Sequence, residues 1–479
     1  MRRNARLALA ATVLAGCGVA AGLFAAERAG VMPRTLAPYI EKRSSGHNAV
    51  IVGAGQFASR SLLALDRGAS GGVAAPDLAP DLAALTLGAQ PQAAGAPGLD
   101  AGLVRDVAGL RAAMAAATPG TTITLAPGSY PIEHRALEAS RPGSAQAPVV
   151  VRAAQPGTVT LRSNVPVAIR VNTPHWRFEN LTIDGACAAH DDCEHAFQVT
   201  GAASHFAAVN NTLQGFNAHF KINGAGGRFP DQGLIEANTL SNPAPRATRK
   251  PVTPIDLVAA SDWTVRGNII RDFIKAGGDG ISYGAFAKGG GSGNLFERNL
   301  VWCEAALAGQ PGQRVGLSLG GGGTGKPYCR DGRCIMEQER SVLRANLIVG
   351  CSDVGIYLNS AADTRIEDNT LVDTAGIDVR FATSSAHIDG NLVDGPIRSR
   401  DGGLLHLGDN RDAALWRSYA GLHPVRSLFA APAGADFLWH GEAPARSTPR
   451  QDGVDLCGAA RSQAKAYGAF EDFGACRRR

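Results

Sequence analysis

Asparagine recurs through the middle of the chain inside one short pattern: an apolar or β-branched residue, two polar or small residues, Asn, then an apolar pair. It reads FENLTI at Asn180, VNNTL at Asn211, IEANTL at Asn238, VRGNII at Asn268, FERNLV at Asn299, LRANLI at Asn346, IEDNTL at Asn369 and IDGNLV at Asn391. The gaps between these asparagines are 31, 27, 30, 31, 47, 23 and 22 residues. A basal period near 22, with loops inserted into the earlier repeats and two turns within the gap of 47, indicates a repeat architecture.

Between the asparagines lies a second element, a small residue followed by an alternating strand. Examples are HAFQVTG from His195, AHFKING from Ala218, DGISYG from Asp279, VGIYLNS from Val354 and GIDVRF from Gly376. Alternation with period two buries one face of a strand and exposes the other. Short strands, a fixed period and a recurrent turn residue fit a solenoid of stacked coils. Asn tolerates the left-handed conformation that a sharp bend between two strands demands. Stacked coils would place amide on amide, as in cross-β ladders. A leucine-rich solenoid is excluded, because Leu-x-x-Leu-x-Leu does not recur among the coils and no coil carries a helix.

The N-terminus is basic over Met1–Arg6, and Leu7–Ala26 is an uninterrupted apolar run of 20 residues. Such a segment directs export and is long enough to span a bilayer. Leu14-Ala15-Gly16-Cys17 resembles a lipoprotein box, so an uncleaved anchor, a lipidated Cys17 and a cleaved signal are the three readings. All place the remainder in the periplasm, in the cell envelope or outside the cell. Of nine cysteines, eight remain once Cys17 is set aside, an even number that suits disulfides in an oxidising compartment. Pairing neighbours gives Cys187–Cys193, Cys303–Cys351, Cys329–Cys334 and Cys457–Cys476. The net charge of +5 is spread along the chain and argues against a nucleic-acid partner.

Two nucleotide-binding signatures fail on context. Gly53-x-Gly55-x-x-Ala58 in HNAVIVGAGQFAS looks like a dinucleotide fingerprint, but no crossover helix of sufficient length or second strand follows it. GGGGTGKP (Gly320–Pro327) matches a phosphate loop, but Pro327 stands where Ser or Thr should hold Mg²⁺. It reads instead as a close-approach loop with Lys326 supplying charge.

Val104–Tyr130 reads VRDVAGLRAAMAAATPGTTITLAPGSY: an amphipathic capping helix, Pro-Gly, then a first coil ending in Gly-x-Tyr. With the Asn-turn coils over about 149–407 and a tail carrying Asp-Phe and Gly-Ala-Phe-Glu elements, the chain resembles the right-handed parallel β-helix proteins. These form the pectate-lyase-like superfamily, and the resemblance is nearest to chondroitinase-B-like and alginate-lyase-like polysaccharide lyases. It implies an all-β, single-stranded parallel β-helix with an N-terminal capping helix. The expected organisation is an export signal or anchor over 1–26, a low-complexity linker over 27–102, the β-helix over 103–411 and a C-terminal capping tail over 412–479. The resemblance also implies a monomer that processes a polysaccharide, as a lyase on a uronate-containing glycan by β-elimination. A hydrolase or epimerase is less favoured, and a non-catalytic polysaccharide-binding or export-associated protein is the alternative.

The loop-bearing coils between about 187 and 340 are the expected place for a site. In His219-Phe220-Lys221, alternation should bury Phe220 and expose His219, Lys221 and Asn223 together. A uronate lyase must neutralise a carboxylate, remove the adjacent ring proton and protonate a leaving oxygen, which Lys, His and Tyr can do. The expected catalytic residues are His219, Lys221, Asp279 and Tyr283. Asn223, Arg228, Asp256, Lys275, Lys288, Arg314 and Lys326 are expected to bind substrate. The chondroitinase-B-like pattern of a Ca²⁺ site with a Glu-x-Glu pair is missing, so that family's site residues are not carried over. His190–His195 (HDDCEH) packs potential ligands together. It reads first as a disulfide-closed loop with solvated charges, and second as a Ca²⁺ site at Asp191 and Asp192.

Overall fold

The computed structural model describes residues 16–18, 20–28, 30–67, 82–90, 102–321, 324–450, 453–461 and 464–477. The basic start, the first part of the apolar run and most of the low-complexity stretch lie outside the described residues. Among the described residues no helix is long and apolar enough to cross a membrane.

Residues 122–412 wind as a right-handed parallel β-helix of three sheets, with 11, 11 and 10 strands. The first sheet runs from Thr122–Leu125 to Leu404–Leu407, the second from Gly128–Ile132 to Arg411–Asp412, and the third from Leu137–Ala139 to Ile397–Arg400. Each strand pairs in parallel with the equivalent strand one coil away, so inward residues stack on inward residues. Trp176, Phe178, Phe197, Phe206, Phe220 and Trp263 fill the early coils. Phe197 and Phe220 lie face to face with ring centroids 5.3 Å apart. The late coils are filled by smaller residues such as Ile356, Val379 and Ile388. Helix Val107–Ala116 closes the N-terminal end with buried Leu110 and Met114, and Asp106 caps it by accepting from the Gly109 N–H at 2.7 Å.

The asparagines form the expected column, with two corrections. The ladder runs Asn211, Asn238, Asn268, Asn299, Asn346, Asn369, Asn391 and on to Asn410. Each side-chain amide donates to the next Asn Oδ1 at 2.9–3.1 Å. The same oxygen also accepts the backbone N–H of the previous asparagine, at 2.8 Å from Asn238 to Asn268. Asn180 is not a member: Leu181 occupies its coil's ladder position, and its N–H donates to Asn211 Oδ1 at 3.0 Å. Nor do the ladder asparagines adopt the left-handed conformation. The preceding residue does so: Asn180, Asn210, Ala237, Gly267, Arg298, Ala345, Asp368 and Gly390 have φ of +51° to +74°. The bend residue points its side chain outward, so its identity varies. The next residue points inward, where only a side-chain amide can both accept and donate along the axis.

The region read as a linker carries ordered structure. Pro33–Ser44 and Ala49–Arg67 form a helical hairpin, so VIVGAGQFAS is helix, not the start of a dinucleotide fold. A Cβ at Gly55 would lie 2.0 Å from Ser44 Oγ, so Gly55 is where the helices touch. The hairpin is pinned to the late coils by ion pairs. Arg34 meets Asp66 at 2.7 Å and reaches Asp373 at 3.7 Å, while Arg426 also binds Asp373. The C-terminal tail does not close the end of the solenoid. It lies along the second sheet with residues 82–90, placing Phe429, Phe437, Phe470 and Phe473 against Trp302, Leu347, Val349 and Leu392. The last coil accordingly leaves Leu404 and Leu407 exposed. Disulfides join Cys187–Cys193, Cys303–Cys351, Cys329–Cys334 and Cys457–Cys476.

Truncating a ladder amide leaves buried donors and acceptors unpaired on both neighbouring coils, at about 1–3 kcal/mol per group. Asn268→Ala is therefore expected to lower unfolding free energy by about 3 kcal/mol, and Asn180→Ala by about 1 kcal/mol or less. Equal losses in chemical denaturation would sink the assignment of the ladder. A second expectation concerns Asp394, whose carboxyl is pushed up to about 7 by burial and by Asp373. A raised carboxyl stabilises the fold below its unfolded value of about 3.9, and the contribution is lost as pH rises through its folded value. Relative to Asp394→Asn, the wild type should lose on the order of 4 kcal/mol between pH 4 and 8. A difference that stays flat across that range would contradict this.

Candidate functional site

The outer face of the third sheet is walled by loops on both sides. Connections 186–194, 242–254, 272–280 and 303–312 enter it from the second sheet, and 224–233 and 320–337 leave it towards the first. Between them, strand register stacks outward residues into one row: Gln198, Lys221, Asp256, Phe286, Ser318, Tyr357 and Asp378.

Lys221 and Asp256 meet on adjacent coils, Nζ to Oδ2 at 2.7 Å. Asp256 is 5% exposed, and its other oxygen, Oδ1, is buried without a hydrogen-bond partner. Lys288 lies on the next strand, Ile281–Lys288, with its ammonium 4.5 Å from the centre of the Phe286 ring. Burial lowers the Lys288 pKa; the charge of Asp256 opposes that, while Lys221 adds to it. Tyr283 packs edge-on against the same Phe286 ring at 5.5 Å. Burial, with Tyr357 and Asp353, pushes its phenol up to about 12. One aromatic ring thus touches both a lysine and a tyrosine, near a buried carboxylate with one unpaired oxygen.

The loop wall is built by a contact that sequence reasoning did not single out. Arg330, in the loop closed by Cys329–Cys334, binds both carboxylate oxygens of Asp231 at 2.7 Å and lies 4.5 Å over the Phe229 ring. Phe229 in turn packs beside Val258, Ala259 and Phe286. Glu337, buried behind the same loop, accepts from the Gly289 N–H at 2.9 Å and the Thr324 hydroxyl at 2.8 Å. The detectable signal was the polar, glycine-rich length of these two insertions; which Arg meets which Asp depends on their coil offset.

The other expected residues are placed apart from this group. His219 does not face outward. It is fully buried at the strand start, with Nε2 3.0 Å from the Ser241 carbonyl, and burial drives its imidazole down to about 3. The corner between second and third sheets folds over it, which strict alternation does not foresee. The nearer histidine is His195, on the preceding strand, lowered to about 4 by burial against the opposing pull of Glu194. Asp279 is held by Lys275 at 2.7 Å in the loop before Tyr283. Burial raises its carboxyl, but the hydrogen bonds from Lys275 and the Ile281 N–H outweigh this and leave it below the ordinary value. Lys275 is consequently spent on that pair. Arg314 is internal: its guanidinium binds Glu304 and the carbonyls of Gln310 and Pro311. Asn223 donates to the Gly224 carbonyl at 2.9 Å at the edge of the face. Arg228 and Lys326 are exposed on the two flanking loops.

Two carboxylate groups have cationic neighbours. Asp191 accepts from the Thr248 hydroxyl, and the Lys250 ammonium lies 3.2 Å from its carbonyl and 2.8 Å from Glu194. The loop around Asp191 and Asp192 thus has one ammonium in contact with it. Asp256 faces Lys221 and Lys288, whose charges take the place of a cation. A third group, Asp373, Asp394 and His423, brings ligand atoms within 4.8 Å of one another, but Arg34 and Arg426 already supply its positive charge.

Residues 255–412 match the family model described as right handed beta helix region. No curated protein sequence matches the chain. Among solved structures, pectate lyase Pel9A is 15% identical, covering 75% of this chain and 90% of its own at a TM-score of 0.47. The PL6 family polysaccharide lyase Pedsa3628 from Pseudopedobacter saltans is 12% identical, covering 76% and 100% at 0.37. The catalytic unit of a GH87 alpha-1,3-glucanase from Streptomyces thermodiastaticus strain HF3-3 is 14% identical, covering 67% and 70% at 0.39. The three parallel sheets give the chain the right-handed parallel β-helix fold, and its later coils are similar to that family's model over residues 255–412.

Proposed function

We propose that the protein cleaves an extended, uronate-containing polysaccharide by β-elimination on the outer face of the third sheet, outside the cytoplasm. The observation that carries this reading is the buried Asp256 carboxylate, tied to Lys221 by one oxygen and unpaired at the other, beside Lys288. A solvated strand face does not bury a carboxylate and leave half of it unpaired; that oxygen lacks the donor which a bound hydroxyl would supply. The four disulfides support the oxidising compartment.

Each chemical task has a group suited to it. Lys221 supplies positive charge to the uronate carboxylate, which makes the neighbouring ring proton more acidic. Lys288, shifted towards its neutral form, takes that proton. The freed electron pair forms the ring double bond as the glycosidic C–O bond breaks. Tyr283, protonated at any physiological pH, gives its proton to the departing oxygen. Phe286, itself buried, fixes Lys288 and Tyr283 against one ring. The coil spacing of about 4.8 Å is close to the length of one pyranose residue, so a chain along the axis meets successive coils in register. No step needs a metal ion.

A second reading is a non-catalytic glycan-binding face, favoured by how closely the loop lies over the lysine: a Cβ at Gly321 would fall 2.8 Å from Lys288 Cδ. The two separate on incubation with alginate, chondroitin and pectate while the absorbance of new unsaturated uronate ends is followed. The lyase predicts product, a loss of at least about 100-fold in Lys288→Ala and Lys221→Ala, and rates within about twofold under chelation. Full activity in Lys288→Ala, or its abolition by chelator, would overturn it. Binding without product would establish the second reading.

The pH dependence has a defined sign. A base active in its neutral form gains rate as pH rises through its pKa, which for Lys288 lies below the ordinary lysine value of about 10.4. Lys288→Arg remains charged throughout and should lose this rising limb. A profile identical in shape to the wild type would exclude Lys288 as the base.

A further inference from the structure

The helical hairpin carries an apolar stripe that the solenoid does not use. On helix Ala49–Arg67, Gly55, Ser59 and Asp66 are buried towards the partner helix and the coils. On the far side Val50, Ala54 and Phe57 recur at i, i+4 and i+7, with Ile51 beside them. Val50 is 79% and Phe57 71% exposed, unusual values for residues that repeat on one helix face. On the first helix Tyr39 is 54% exposed, and the Arg43 side chain lies over its ring and donates to its hydroxyl at 3.1 Å. This is the arrangement by which an aromatic ring and a cation share an apolar–polar boundary.

We propose that this face of the hairpin lies in the surface of a lipid bilayer with anionic headgroups. Two further observations select a membrane over another occupant. Residues 27–67 hold six Lys or Arg against three Asp or Glu, so the hairpin is basic where an anionic surface would attract it. The 20-residue apolar run Leu7–Ala26 leads straight into it, with residues 20–28 helical and Phe24 exposed. A chain held by that run has its hairpin at headgroup depth, where an amphipathic helix is stable. Arg34, Asp66, Asp373 and Arg426 fix the hairpin to the coils, so the solenoid would sit at one defined tilt rather than swing on a tether. This inference is independent of any glycan chemistry.

The full chain is reconstituted into phosphatidylglycerol–phosphatidylethanolamine vesicles containing a photoactivatable phospholipid, and adducts are mapped by mass spectrometry. Adducts are expected in the peptide spanning 49–60 as well as in the apolar run. Val50→Ser/Phe57→Ser, both exposed positions, should cut hairpin labelling at least fivefold and leave the apolar run labelled as before, with the melting temperature unchanged. Lipid adducts confined to the apolar run would overturn the proposal. So would cross-links joining the hairpins of two copies that persist as protein is diluted in lipid, since a second copy would then be the occupant.

Discussion

One inward-facing amide per coil is the contact on which the rest of the molecule depends. A sharp bend between two strands leaves a backbone N–H and a carbonyl pointing into a core that excludes water, and each unpaired group there costs about 1–3 kcal/mol. The Asn column satisfies both from the neighbouring coil: Asn268 Oδ1 takes the N–H of Asn238, and Asn268 Nδ2 reaches the Ile235 carbonyl at 2.9 Å. The amide needs a partner above and below, so it fixes register as well as energy. A coil displaced by one residue would lose the column and turn its apolar residues outward.

Fixed register is what allows a site to be built from residues far apart in sequence. Lys221, Asp256 and Phe286 are adjacent only because three strands begin at the same angular position around the axis. Loops of any length can then be inserted at the corners without moving that row, since the ladder holds across the gap of 47 residues between Asn299 and Asn346. The scaffold is rigid and the insertions are variable, a division that lets a repetitive fold carry one particular chemistry at one place.

The coils were legible in the sequence because their cause is local and periodic. A strand with period two and an Asn each turn leave a pattern that survives inserted loops. The bend geometry was misassigned to the asparagine itself, since propensity points to Asn for a left-handed residue, while the amide is wanted one position later for hydrogen bonding. Lys221, Asp256, Lys288 and Tyr283 were readable as polar or aromatic residues on strand faces. The burial of His219 was not, because it follows from how a corner folds over it. Arg330 with Asp231 was hidden for a different reason: the partners are 99 residues apart and meet through two loops with no period. The hairpin was hidden by composition, its Gly and Ala content masking a helix that is stabilised by close packing at Gly55 and by distant ion pairs.

The same outward row changes character along the axis, and this sets the proposed site apart from the later coils. In the middle coils Asp256 keeps an unpaired oxygen and Lys288 lies near an apolar ring. Four coils on from Asp256, Asp378 occupies the equivalent position and is fully buried, and its two oxygens take Arg398 and Arg400. Tyr357 likewise accepts from Arg380 at 3.2 Å. Those late coils satisfy their own charges and carry no long loops, so they present a closed surface to a polymer. An unsatisfied carboxylate with lysines on either side persists only where surrounding structure holds it and a ligand completes it. The loops that wall the face are confined to the same coils, and the two features together limit the proposed site to one stretch of the solenoid.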